Sequence, residues 1–322
     1  MLSDLDISTN IRAVDPRKDI LPVADLIDLC FSHQMDEDGR EYLRHLRQAA
    51  RNPGLIRWVQ GAGERVSYPL NGFVYVIDGE VVGNCSIIPY YQANHWLYLI
   101  ANVAVQPDYR RRGIGRQLTL KAMHHAQAQG ATAWLQVRED NPGAHKLYLE
   151  LGFEEVTRRD TWLFKPNRPV NGRLPDGVRL LKRQRADWQQ QSEWLANTYS
   201  PDVTWNLPLR IDHFKPTMWD FLDNFLMDLQ VTHVAISMNH QLGGVATHQR
   251  TATFADWLWL AMNPATEDTL LPYLLAACRK HAHHRNLVVN YPAGRCRPVF
   301  ESSGLELMNC LIWMRAPGAT KS

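Results

Sequence analysis

Residues 75–162 and 235–313 carry one series of local signals twice, in the same order and at nearly the same spacing. Tyr75-Val-Ile-Asp-Gly-Glu-Val-Val-Gly83 reads as strand, Asp-Gly turn, strand, and Ala235-Ile-Ser-Met-Asn-His-Gln-Leu-Gly-Gly244 has the same shape. Asn102-Val-Ala-Val-Gln-Pro107 has its counterpart in Trp259-Leu-Ala-Met-Asn-Pro264. A helical stretch follows each, ending near Ala126 and Ala282. Leu147-Tyr-Leu-Glu-Leu-Gly-Phe153 then matches Val299-Phe-Glu-Ser-Ser-Gly-Leu305, and each leads into a strand holding Trp162 or Trp313. Self-similarity of this kind marks a duplicated unit. The expectation is two tandem domains of one kind.

The 322 residues suffice for two ordinary cores. Lys165-Pro-Asn-Arg-Pro-Val-Asn-Gly-Arg-Leu-Pro-Asp-Gly177 follows no period and is dense in Pro, Gly and Asn, so the boundary belongs there. The expected layout is a domain at 1–166, a linker at 167–177 and a second domain at 178–322. In the first domain, helices are expected at 20–33, 36–51, 113–129 and 142–151. Strands are expected at 72–78, 81–90, 96–105, 133–138 and 153–164. An antiparallel front followed by strand–helix–strand–helix is an α+β pattern.

A net charge of +2 leaves no basic field for nucleic acid or an anionic membrane. No apolar run is long enough to span a bilayer. The opening MLSDLDIST has early acids and no apolar stretch, unlike a secretory signal. Cys30, Cys85, Cys278, Cys296 and Cys310 are scattered, which argues against a disulfide scaffold and any usual zinc or iron–sulfur site. A reduced, cytoplasmic protein without a metal is the expectation.

The most informative segment is Ala101-Asn-Val-Ala-Val-Gln-Pro-Asp-Tyr-Arg-Arg-Arg-Gly-Ile-Gly-Arg-Gln-Leu118. Pro107 stops the strand. Three arginines and Gly113-Ile114-Gly115 then open a helix with Ile114, Leu118, Ala122 and Ala126 on one face. A helix start leaves backbone N–H groups free at the positive end of the helix dipole. Without Cβ atoms at 113 and 115 an anion can approach the backbone, and Arg110, Arg111 and Arg112 add cations. This outlines a pyrophosphate site. It is not a P-loop, since no Gly-Lys-Ser/Thr follows, nor a dinucleotide fingerprint, since Leu118 stands at the third glycine position. Downstream, Asn141 suits an N-cap, Pro142 the first helical position and Gly152 the stop. Ala144, Leu147, Tyr148 and Leu151 share a face, so Tyr148 points inward with its hydroxyl available.

Together these residues resemble the GCN5-related N-acetyltransferase (GNAT) superfamily, over roughly residues 70–165. Arg110-x-x-Gly113-x-Gly115 matches the family's acetyl-CoA pyrophosphate motif, and Asn141…Ala144…Leu147-Tyr148…Gly152-Phe153 matches its second motif. The two-fold repeat resembles the tandem GNAT proteins. The resemblance implies a mixed, twisted α/β sheet, splayed between the strand ending at Val105 and the one ending at Val137. It implies direct acetyl transfer from acetyl-CoA to a small-molecule or peptide amine, catalysed in the N-terminal domain. The implied cosubstrate contacts are Val103, Ala104, Val105, Arg110, Arg111, Arg112, Gly113, Ile114, Gly115, Arg116, Asn141, Ala144 and Tyr148. Tyr148 would protonate the leaving thiolate. The assembly would be a monomer or homodimer, without nucleic acid or membrane.

Two departures qualify this. Relatives acting on ribosomal-protein N-termini carry Glu at the position of Gln136, which cannot titrate; either a water chain serves as base, or another residue does, with His95, Tyr98 and Glu139 the candidates. A non-catalytic acetyl-CoA sensor or scaffold is the competing reading. The second half loses the equipment: aligning Pro264 with Pro107 sets Glu267, Asp268 and Thr269 in place of the arginines, Leu270 and Pro272 in place of Gly113 and Gly115, and Phe300 in place of Tyr148. Arg279-Lys-His-Ala-His-His-Arg285 reads as a solvated helix end. Acceptor choice is expected to lie in Leu55–Tyr68 and Tyr90–His95.

Overall fold

A computed structural model describes residues 9–35, 37–51, 71–166, 173–216, 231–282 and 284–317. The chain divides into two compact units, Met1–Val137 with Asn141–Val156 and Trp313–Ser322, and Arg138–Asp140 with Thr157–Ile312.

In the first unit, β1 (Ile11–Ala13) pairs antiparallel with β2 (Gly72–Ile77), β2 with β3 (Glu80–Gln92), and β3 with β4 (His95–Val105). β4 then runs parallel to β5 (Thr132–Arg138), as a strand–helix–strand crossover requires. Helices α1 (Ile20–Phe31) and α2 (Glu37–Arg51) bury Ile20, Val23, Ala24, Ile27, Leu43, Leu46 and Ala49 against Val74 of β2. These are the three- and four-residue spacings of an apolar helix stripe. α3 (Ile114–Ala128) is the crossover helix; Ile114, Leu118, Ala122 and Ala126 are all buried, as the periodicity predicts. α4 (Pro142–Glu150) follows β5, with Asn141 Oδ1 accepting the Ala144 N–H at 3.1 Å.

In the second unit the strand order is β12-β6-β11-β10-β9-β8-β7, with β6 Glu154–Phe164, β7 Val178–Lys182, β8 Val231–Met238, β9 Gln241–Gln249, β10 Ala255–Met262, β11 Asn286–Pro292 and β12 Glu306–Arg315. α5 (Trp188–Thr198) and α6 (Pro201–Thr204) precede β8; α7 (Glu267–His281) and α8 (Arg297–Ser302) flank β11. One core gathers Trp162, Phe164, Leu258, Leu260, Leu270, Leu274, Val289, Tyr291 and Phe300. A second gathers Leu195, Tyr199, Phe214, Ala235, Val245 and Trp259.

The duplication is visible in the registers. β10 and β11 are parallel, like β4 and β5. The Gln106 N–H bonds Val82 O and the Asn263 N–H bonds Gly243 O, both at 2.9 Å, at the same place in each repeat. The compact units do not follow the expected 1–166 and 178–322 split. Thr157–Phe164 lies in the second unit, where Arg159–Phe164 pairs with β11, while Trp313 onward lies in the first. Each unit therefore includes a segment that the sequence assigns to the other domain. Of the expected linker, 167–172 lies outside the described residues, and β7 begins at Val178.

Candidate active site

β4 and β5 pair from Leu97–Thr132 to Ile100–Leu135 and no further. Beyond that point Ala101–Val105 and Gln136–Val137 diverge, which is the splay the resemblance implies. A bulge sits at its root. β3–β4 pairing shifts register between Asn84–Ala104 and Ser86–Ala101, so Asn102 and Val103 together oppose Cys85. Asn102 has a left-handed φ of 50°, a conformation Asn tolerates better than most residues. Buried Asn84 locks the bulge by donating to Asn102 O at 2.9 Å. Sequence reasoning missed this; the signal was an Asn inside the apolar run Leu99–Val105.

The Arg–Gly loop lies just past the end of β4. Gly113 is the N-cap of α3 with φ +78°, a left-handed conformation that glycine takes without strain. Gly115 is different: a Cβ there would meet Val105 Cγ2 and Leu147 Cδ2 at 3.8 and 3.9 Å, ordinary contact distances. The free protein has no steric reason for glycine at 115, and a helix normally favours alanine. The missing side chain leaves open the space in front of the N–H groups of Ile114, Gly115 and Arg116, which have no acceptor within the helix. A bulky anion fits that cradle.

The three arginines divide their work. Arg110 Nε donates to Val105 O at 3.0 Å and its Nη2 points to Cys30 Sγ at 3.6 Å; the Cys30 thiol also donates to Val105 O, at 3.4 Å. Arg110 therefore braces the loop on the end of β4, where it was expected to grip phosphate. Arg112 donates to Asp108 O at 3.0 Å and stacks on Tyr109. Arg111, with φ +64°, stays exposed at the loop crest. Arg116 lies 3.4 Å from Glu150. Leu147, on α4, borders the Gly115 cradle.

Tyr148 is buried, its ring edge-on to Phe153 at 6.0 Å. Burial, with the Cys85 thiol a smaller cause, pushes its hydroxyl well above the ordinary tyrosine value. The same burial pushes the Cys85 thiol up to about 12. Gln136 is half-buried on β5. His95 stands at the opposite end of β4 from Val105, bonded to Thr132 Oγ1 at 2.8 Å. Ten residues of strand separate them, about 33 Å, too far for a base acting near the splay. The Tyr98 ring faces His125 on α3 at 6.0 Å. Glu139 belongs to the second unit, paired with Arg158 at 2.8 Å. Tyr90–His95 forms the β3–β4 hairpin tip, and Leu55–Tyr68 lies outside the described residues.

The corresponding place in the second unit is filled. β10 pairs regularly with β9, without a bulge. β10 and β11 part after Trp257–Val288, yet Leu258–Met262 and Val289–Tyr291 are all buried. Phe300 stacks on Trp162 at 5.2 Å and meets Tyr291 edge-on. The loop is shorter than a residue-by-residue replacement predicts. α7 starts at Glu267, so Leu270 and Pro272 lie inside the helix and Leu270 is core. Glu267 is buried at the α7 start, paired with Arg295 at 2.8 Å and bonded by the Tyr291 hydroxyl. An internal carboxylate takes the place of an external anion. Arg279 is also not in a solvated helix end: it is buried, donating to Phe164 O at 2.7 Å and to Ala282 O.

Among the described residues no group of three or more His, Cys, Asp or Glu could hold a metal ion, and no helix is long and apolar enough to cross a membrane.

Residues 64–153 match the Acetyltransferase (GNAT) family. The chain is 48% identical over 59 residues to the [ribosomal protein bS18]-alanine N-acetyltransferase of Escherichia coli K12, which is 18% of this chain and 40% of that one. It is 35% identical over 81 residues to the N-alpha-acetyltransferase RimI of Mycobacterium tuberculosis, 25% of this chain and 50% of that one. The matches thus span half or less of these relatives. A GCN5-related N-acetyltransferase from Sphaerobacter thermophilus aligns over 97% of this chain and 98% of its own, with a TM-score of 0.59 at 14% identity. A tandem GNAT protein from the clavulanic acid biosynthesis pathway aligns over 97% and 99%, with a TM-score of 0.50 at 14% identity. At that identity these two show likeness of fold alone.

Proposed function

We propose, from the premise that residues 64–153 form an acetyltransferase domain of the GNAT family, that the protein transfers acetyl from acetyl-CoA to a primary amine in its first unit. The observation that carries this reading is the conjunction of the β4–β5 splay, the open start of α3 and buried Tyr148 in one unit. Acetyl-CoA, when bound, supplies an activated acyl group. The N–H groups at the α3 start and exposed Arg111 hold its diphosphate. Backbone groups of Ala101–Val105, past the end of the β4–β5 ladder, align its pantetheine arm by hydrogen bonds. Val105 is kept in place for this by Arg110 and Cys30.

Tyr148 gives its proton to the departing sulfur. A tyrosine shifted upward looks too weak an acid for a thiol of ordinary pKa ~8.5. The desolvation that shifts it, however, raises a buried thiol in the same direction, as it does Cys85. Proton donor and acceptor rise together.

The acceptor is an amine that needs little help to lose its proton. Gln136 offers no titratable group, which suits an α-amine of pKa ~8 better than a lysine side chain of pKa ~10.4. The names of the relatives that act on a ribosomal-protein alanine point the same way. Acceptor-dependent CoA release against peptides, polyamines and amino sugars tests the proposal. Turnover on an α-amine supports it. Tight acetyl-CoA binding without turnover on any amine would favour a sensor or scaffold.

A further inference from the structure

The last described residues of the chain sit in the first unit, along the outer wall of the proposed cleft. The Ala316 N–H donates to Ala133 O at 2.8 Å. In the second unit, the Glu139 N–H donates to Cys310 O at 2.9 Å. Both bonds fit one antiparallel register, which sets Trp313 opposite Gln136. The Arg315 guanidinium lies over the Trp134 ring at 5.6 Å. Pro317 lies beside Gly152, which ends the α4 turn four residues after Tyr148; a Cβ on Gly152 would be 3.7 Å from Pro317 Cγ.

This matters because of where β5 loses its other neighbour. Its ladder with β4 ends at Leu135. Past that residue β12 is its remaining strand neighbour among the described residues. Two strands that diverge past the end of their ladder have a competing closed state, in which the ladder runs on between them. A chain lying between them needs the strands about 10 Å apart, two strand spacings. Something must hold β5 at that distance, and the ladder to the C-terminal strand is placed to do it. Resting on the functional reading above, we propose that Arg315 and Ala316 are positioning residues for acetyl-CoA. On this account the chain's last strand, which belongs to the second repeat in sequence, keeps the first repeat's cleft open.

The test uses the full-length chain. Ala316→Pro deletes the N–H that bonds Ala133 O, and Ala316→Gly keeps it. Acetyl-CoA affinity is measured by calorimetry, KM and kcat with the best acceptor by steady-state kinetics, and folding by melting. Ala316→Pro should weaken acetyl-CoA binding about tenfold or more through lost preorganisation, raising its KM with kcat changed less than about threefold. Ala316→Gly should restore wild-type values. A folded Ala316→Pro variant with wild-type affinity and KM overturns the proposal. If that variant fails to fold, Arg315→Ala decides: weakened acetyl-CoA binding supports the proposal, and wild-type affinity overturns it. A wild-type chain that binds no acetyl-CoA sinks the functional reading and this one with it, whereas wild-type binding with unaffected variants sinks only the positioning role.

Discussion

Tyr148→Phe separates a catalytic hydroxyl from a structural one. The ring is buried and packs edge-on against Phe153, and the substitution leaves that contact intact. The hydroxyl makes no hydrogen bond among the described residues, so its removal strands no buried partner. Swapping an unbonded hydroxyl for hydrogen is close to neutral, within about 1 kcal/mol. Loss of a general acid costs about 10²-fold in rate, or about 2.7 kcal/mol of barrier. The two effects differ enough to be told apart in one variant. Melting should be nearly unchanged, acetyl-CoA affinity should hold, and kcat should fall about 10²-fold in an acceptor-dependent CoA-release assay. Full turnover in a folded Phe variant would refute the proton-donor role. A collapse in stability would show that the hydroxyl serves the fold.

Gly113→Val places a β-branched residue at φ +78°, in the left-handed region, and intrudes on the anion cradle. It should cost about 1–2 kcal/mol in stability and lose acetyl-CoA binding by calorimetry; retained affinity would remove the loop from the site. A chain ending at Asn167 lacks Trp313–Pro317 and leaves Arg159–Phe164 without β11. It should give no cooperative melting transition and no acetyl-CoA binding, and a well-folded, binding fragment would show that neither exchange matters. On the alkaline side, burial raises Cys85, Cys278 and Tyr199 each to about 12 and lifts Tyr148 as well. All are neutral when protonated, and their folded values exceed the unfolded ones. Their stabilisation is complete below pH ~8.5 and is lost as pH rises through the range from ~9 to 12. Melting temperature against pH should be level from 7 to about 8.5 and then fall; a rise above pH ~9 would contradict the burial of these groups.

The parts of this molecule that were legible in its sequence are those written locally. Pro107, Gly113 and Gly115 mark a strand end and a helix start wherever they occur, and Asn141 with Pro142 marks another. The apolar spacing of α3 names its buried face. What stayed hidden depends on distant neighbours. Arg110 looks like a phosphate ligand until Cys30, eighty positions away, and Val105 draw its guanidinium back to the strand. Glu267 looks like a repulsive surface acid until Arg295 and Tyr291 enclose it. The apolar pattern of Glu154–Phe164 shows a strand but not its partner, so its pairing with β11 could not be read. Arg279 sits in a basic run that reads as solvated, and only the fold brings the Phe164 carbonyl within reach of it.

The central claim is an acetyl-CoA site in the first unit and a filled counterpart in the second, where Glu267 and Phe300 stand in for ligand and catalytic tyrosine. Equilibrium titration of the full-length chain with acetyl-CoA tests it most directly. Saturation at one equivalent per chain is the predicted result. Two equivalents would mean that the second unit's splay opens despite its buried aromatic filling, and none would mean that the α3 cradle does not bind the cosubstrate at all.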